Sequence, residues 1–166
     1  MSTQGTPAID ALRRAGVRFE VLTYHAPEHH GRDRDERPNY GQEAAEALGV
    51  DPARMFKTLI ATADTRLVAA LVPVDRELDL KRLAAAIGSR KAALADPVVA
   101  ERATGYVVGG ISPLGGRRAL PTLIDASAAD HEIVYVSAGR RGLQLALAPG
   151  DLVRLTGATV VAIARP

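Results

Sequence analysis

The chain contains no cysteine. That absence removes disulfide cross-links, thiolate nucleophiles and cysteine-ligated zinc, so any thiol chemistry must arrive with a substrate. Tryptophan is also missing and aromatic residues make up only 4% of the 166 residues. No recognised RNA-reading motif built on stacked aromatics is present. Long hydrophobic runs are lacking as well: the stretch from Leu67 to Val74 is strand-sized, far short of the roughly 20 apolar residues that cross a bilayer. The opening residues, Met1 to Pro7, do not show the basic-then-apolar order of a secretory signal, and the expected location is the cytoplasm. There is no repeat and no low-complexity segment.

Apolar residues account for 47% and charged residues for 24%, close to the globular average. The length predicts one domain over residues 1–166 with one compact core. The formal net charge is +2, and basic pairs occur at Arg13-Arg14, Lys81-Arg82, Arg90-Lys91, Arg117-Arg118 and Arg140-Arg141. Such pairs suit either phosphate contacts or a solvated face.

Thr6-Pro7 reads as an N-cap followed by proline in the first helical turn, and Gly16 stops the helix. Phe19, Val21 and Thr23 alternate as a strand ending near Tyr24. The polar stretch from Ala26 to Tyr40, with Pro27, Gly31 and Pro38, predicts a loop. Helices are expected from Gln42 to Leu48, after Asp79 to Ile87, and from Val98 to Ala103, with a last one near Asp151 to Leu155. Strands are expected at Phe56 to Thr62, Leu67 to Pro73, Tyr106 to Val108, Thr122 to Asp125, Ile133 to Ser137, Leu143 to Leu147 and Thr159 to Ile163. Neighbouring strands joined by short turns pair antiparallel and those joined through helices can lie parallel. The predicted fold is therefore α/β, a mixed, curved, barrel-like sheet with surrounding short helices.

The densest unusual segment runs from Thr104 to Gly116 and holds five glycines and a proline. Side chains would obstruct such a backbone path, which reads either as a structural turn or as a loop whose amides approach a ligand. Lys57 stands in an otherwise apolar strand, where it either faces outward or meets an anion or a pocket. Tyr24, Thr58, Ser112 and Ser137 are hydroxyls near strand ends or turns. Ser112 has neither the nucleophile-elbow context nor an evident histidine partner, which disfavours a serine hydrolase. The adjacent His29 and His30 lack carboxylate support, and no metal site is expected.

Several strings together resemble the YbaK/EbsC family of tRNA deacylases, which is related to the editing insertion of bacterial prolyl-tRNA synthetases. They are Phe56-Lys57-Thr58-Leu59, Leu78-Asp79-Leu80-Lys81, Ala95-Asp96-Pro97, Thr104-Gly105-Tyr106 running into Gly109 to Gly115, Leu120-Pro121-Thr122, Tyr135-Val136-Ser137 and Arg141-Gly142-Leu143. The resemblance implies hydrolysis of a mischarged aminoacyl-tRNA, foremost Cys-tRNA(Pro), without a protein nucleophile and without a cofactor. It assigns Lys57 to holding the 3'-terminal nucleotide, and Gly109, Gly110, Ile111, Ser112 and Pro113 to lining the aminoacyl pocket. Tyr24, Thr58 and Ser137 join that site. Gln144 occupies the position where Cys-specific members carry an aspartate, so a charge-setting role there is lost. The implied partners are the acceptor end of an aminoacyl-tRNA and a prolyl-tRNA synthetase. Two other readings stay open: a deacylase for another small amino acid such as alanine, and a non-catalytic tRNA- or synthetase-binding module.

Overall fold

A computed structural model describes residues 5–26 and 39–166. The helix signals read from the sequence hold at atomic detail. Helix α1 (Pro7–Ala15) starts where the Thr6 hydroxyl accepts from the Ile9 amide at 3.1 Å and stops at Gly16 in the left-handed region. Asn39, Asp79 and Asp96 cap α2 (Tyr40–Leu48), α3 (Leu80–Ile87) and α4 (Pro97–Thr104) in the same way, each cap being worth about 1 kcal/mol. Helix α5 (Pro149–Thr156) starts on its proline.

The strands form two sheets. In the first, β7 (Leu143–Leu147) lies between β1 (Phe19–Thr23) and β6 (Val134–Ser137), all antiparallel. The second has the order β4 (Ala92–Leu94), β2 (Phe56–Ala63), β3 (Arg66–Pro73), β5 (Thr122–Asp125), β8 (Thr159–Val161). The β2–β3 hairpin is antiparallel, whereas β3–β5 and β5–β8, joined through helices, are parallel. A parallel bridge from Met55 to Tyr135 connects the sheets. The expected mixed sheet is thus divided into a three-stranded and a five-stranded sheet joined by that bridge.

The main core lies between the sheets and α1: Ile9, Leu12, Phe56, Ile60, Leu71, Ile124, Val136, Leu143 and Leu145 are all buried there. Val68, Ala70, Val72, Leu83 and Ile163 fill a second cluster on the opposite face of the larger sheet. Strand β3 feeds both clusters, which is why its sequence is a continuous apolar run and not an alternation. A third cluster seats Ala44 and Ala45 of α2 on Met55 and Val74, with Tyr24 and Tyr135 beside them.

Four expectations change. Tyr106 to Val108 is not a strand: α4 ends at Gly105, the Tyr106 hydroxyl turns inward to donate to the Leu114 carbonyl at 2.7 Å, and Val107 is 70% exposed. Strand β4 is additional, too short to show a period. The last strand stops at Val161, because the amides of Ile163 and Ala164 bond the Asp125 carboxylate, both at 2.9 Å. Helix α2 begins at Tyr40, two residues ahead of expectation. The polar loop lies, over residues 27–38, outside the described residues, as do His29 and His30.

Candidate active site

Side chains alternate along β2. Phe56 and Ile60 enter the main core, and Thr58 between them points to that side. Met55 and Leu59 belong to the clusters on the other face, with Lys57 between them. Lys57 and Thr58 therefore project from opposite faces. The Cα partner of Lys57 on β3 is Val72, which is fully buried. Burial holds the Lys57 ammonium below the usual lysine value, against the opposing pull first of Glu77 and then of Asp75.

The bridge between Met55 and Tyr135 aligns the two sheets at that point. Two residues further along each strand, on the same face, stand Lys57 and Ser137. Gln144 is the register partner of Ser137 and, on its other side, of Leu22. Lys57, Ser137 and Gln144 thus share one surface drawn from three strands. The Ser137 hydroxyl accepts from the Gly139 amide at 3.1 Å and opens the β6–β7 turn. Tyr24, just past β1, donates its amide to the Gly142 carbonyl at 3.0 Å at the end of that turn.

The glycine segment is laid against this turn. Gly109 has φ 93°, and a β-carbon there would sit 3.0 Å from Arg141 Cδ and 3.1 Å from the Tyr40 ring. One on Gly110 would sit 2.6 Å from Arg140 Cα. Arg141 in turn stacks over the Tyr40 ring, 4.6 Å from its centroid. On the approach to the loop, the Val108 amide donates to the Glu101 carboxylate at 2.7 Å, and the Gly110 amide donates to the Val107 carbonyl at 2.8 Å. Further on, the chain turns inward. Ile111, Ser112 and Leu114 are buried, and the Ser112 hydroxyl accepts from the Leu114 amide at 3.3 Å, which closes a turn. Pro113 and Leu114 line a cavity of about 250 Å³ on the far side, together with Ile60, Thr104, Leu120 and Thr122. Lys57, Ser137 and Gln144 do not line it.

Among the described residues, two buried side-chain atoms have no partner, Thr58 Oγ1 and Gln144 Oε1. Gln144 is only 6% exposed, and such an orphaned acceptor costs about 1–3 kcal/mol. The amides of Gly109, Ile111 and Ser112 likewise donate to nothing among the described residues. Unpaired backbone donors in a glycine loop are suited to an anionic or carbonyl oxygen.

The structure therefore gathers Tyr24, Gly109, Gly110, Ser137 and Gln144 around the β6–β7 turn, with Lys57 on the same surface. Thr58 stands on the opposite face of β2, and Ser112 and Pro113 turn away into the interior and the far cavity. Glu101, Tyr40 and Arg141 fix the loop from both sides, a role the sequence assigns to none of them. The Arg140-Arg141 pair was a visible signal, while Glu101 and Tyr40 carried none.

The chain is similar to known proteins in sequence and in fold. Residues 38–155 match the family described as "Aminoacyl-tRNA editing domain". A relative from Enterococcus faecalis, named "Putative Cys-tRNA(Pro)/Cys-tRNA(Cys) deacylase EbsC", is 40% identical over 116 residues, which span 69% of this chain and 71% of that protein. The Proline-tRNA ligase of Moorella thermoacetica is 42% identical over 95 residues, 57% of this chain but 16% of the ligase. A solved structure described as "a putative trans-editing enzyme for prolyl tRNA synthetase" superposes with a TM-score of 0.82 over 100% of this chain and 99% of its own, at 23% identity, a likeness of fold. The chain belongs to the aminoacyl-tRNA editing domain family.

Proposed function

We propose that this protein is a trans-editing deacylase that cleaves the ester of a mischarged aminoacyl-tRNA, with Cys-tRNA(Pro) as its substrate. The observation that carries this reading is the unpaired polar groups around the β6–β7 turn: the buried Gln144 Oε1 and the free amide of Gly109. They coincide with positions selected from the sequence, and Lys57 supplies a partly desolvated cation beside them.

The ester linking an amino acid to tRNA is already activated, so positioning and carbonyl polarisation supply much of the rate. In this reading Lys57 anchors the terminal nucleotide, and the loop amides polarise the ester carbonyl. With a cysteinyl substrate, the thiol sulfur attacks its own carbonyl carbon. The C–S bond forms as the ester C–O bond breaks, and the ribose hydroxyl leaves carrying the proton that the thiol gives up. No protein thiol is required, consistent with a chain that has no cysteine. The likeness to Proline-tRNA ligases supports a prolyl-tRNA synthetase as the source of the misacylated tRNA. Gln144 carries no charge, and this favours one variant of the reading: a site that also accepts alanine, where the terminal ribose 2'-hydroxyl activates water.

Ester loss from tRNA(Pro) charged with cysteine, alanine, serine or proline, followed in parallel, tests the proposal. Rapid loss from the cysteinyl form with the prolyl form preserved is expected. Preservation of every ester overturns the deacylase reading and leaves a non-catalytic binding module.

A further inference from the structure

The Arg140-Arg141 pair is at the tip of the β6–β7 turn, and its two members are used differently. Arg141 is committed to the Tyr40 ring. Arg140 is exposed, and its guanidinium has no hydrogen bond, ion pair or ring contact among the described residues. Its backbone, in contrast, is pressed against the glycine loop, since a β-carbon on Gly110 would lie 2.6 Å from Arg140 Cα and 2.9 Å from its carbonyl carbon. The Arg140 side chain consequently leaves the protein at the rim of the loop, on an anchored backbone. Three contacts hold that backbone: the stacked neighbour, the Leu143 amide donating to the Arg140 carbonyl at 3.3 Å, and the Tyr24 amide donating to the Gly142 carbonyl at 3.0 Å.

An unpaired guanidinium carried on a held backbone at the rim of the glycine loop matches a polyanion that continues past the group bound inside. We infer that Arg140 is a phosphate-contacting residue for single-stranded RNA. On the deacylase reading, on which this rests, it takes the phosphodiester just upstream of the terminal adenosine. Arginine presents a forked donor set suited to phosphate oxygens, and phosphate contacts fix register without reading bases. The glycine loop would hold the aminoacyl end and Arg140 would set how far the strand enters.

Binding of an uncharged acceptor minihelix ending in CCA, and separately of adenosine, is measured for wild type, Arg140→Ala, Arg140→Lys and Arg90→Ala across a salt series. Arg90 lies at the far end of the hairpin, where its amide bonds Asp64, and its loss is expected to change nothing. Arg140→Ala should weaken minihelix binding about five- to tenfold and lower the slope of log K against log salt by about 0.7, with adenosine binding unchanged. Arg140→Lys should restore most of the slope. Wild-type affinity and slope in Arg140→Ala overturn the assignment, as does a parallel loss of adenosine binding, which would put Arg140 in the nucleotide pocket. A wild type that does not bind the minihelix overturns it as well. Wild-type deacylation of charged tRNA is measured alongside, so failure of the Arg140 contact is separable from failure of the deacylase reading.

Discussion

At the scale of single residues, the site is a place where stability is given up. Gln144 buries an acceptor that nothing in the described structure satisfies. Removing that acceptor with a similar volume, Gln144→Leu, should leave urea-unfolding stability unchanged or raise it by about 1 kcal/mol, while ester cleavage falls. A loss of both would make Gln144 an ordinary structural residue. Lys57 follows the same logic. Burial lowers its folded value from 10.5, so at intermediate pH the unfolded chain binds more protons, and stability rises as pH climbs through the folded value towards 10.5. The sequence signalled Lys57 because a cation in an apolar strand stands out. Alternation along the predicted strand already puts Thr58 on the face opposite Lys57, but nothing in the sequence shows that its hydroxyl lacks a partner.

At the scale of elements, the glycine loop depends on close backbone approach. Gly110→Ala must push the β6–β7 turn away, because the added carbon meets Arg140 Cα at 2.6 Å. Turnover is expected to fall about 100-fold if the loop amides polarise the carbonyl. Gly88→Ala is the control: its φ is 74° with open space around it, so it should cost about 1 kcal/mol of stability and leave turnover intact. The Asp125 carboxylate holds the C-terminal segment. Burial pushes it up, but donation from the Ser127 hydroxyl and the Ile163 and Ala164 amides outweighs burial and leaves it below 3.8. Its contribution is therefore complete above pH 3.8 and is lost as the pH falls through the lower folded value. Asp125→Ala should cost about 3 kcal/mol by urea unfolding near neutral pH, and should flatten the acid limb of the stability profile. Capped helices were legible because Thr6, Asp79 and Asp96 act locally. The run from Tyr106 to Val108 looks like a strand because its residue types favour one, yet no strand among the described residues pairs with it and the tyrosine is drawn inward to Leu114.

At the scale of the whole molecule, two sheets joined at Met55 and Tyr135 bring β2, β6 and β7 onto one surface. No local signal could disclose that junction, because residues 80 positions apart in sequence make it. The mixed sheet could still be read from turn lengths, and the glycine-rich loop from composition alone. The groups that fix the loop, Glu101 and the Tyr40–Arg141 stack, emerged only with the fold. The most direct measurement is single-turnover ester cleavage of Cys-tRNA(Pro) by wild type and Lys57→Met, with unfolding midpoints determined on the same samples at pH 7. Cleavage should drop at least about 100-fold in the variant, with a midpoint no lower than that of wild type, since a desolvated charge has been removed. Wild-type cleavage by Lys57→Met would contradict the account.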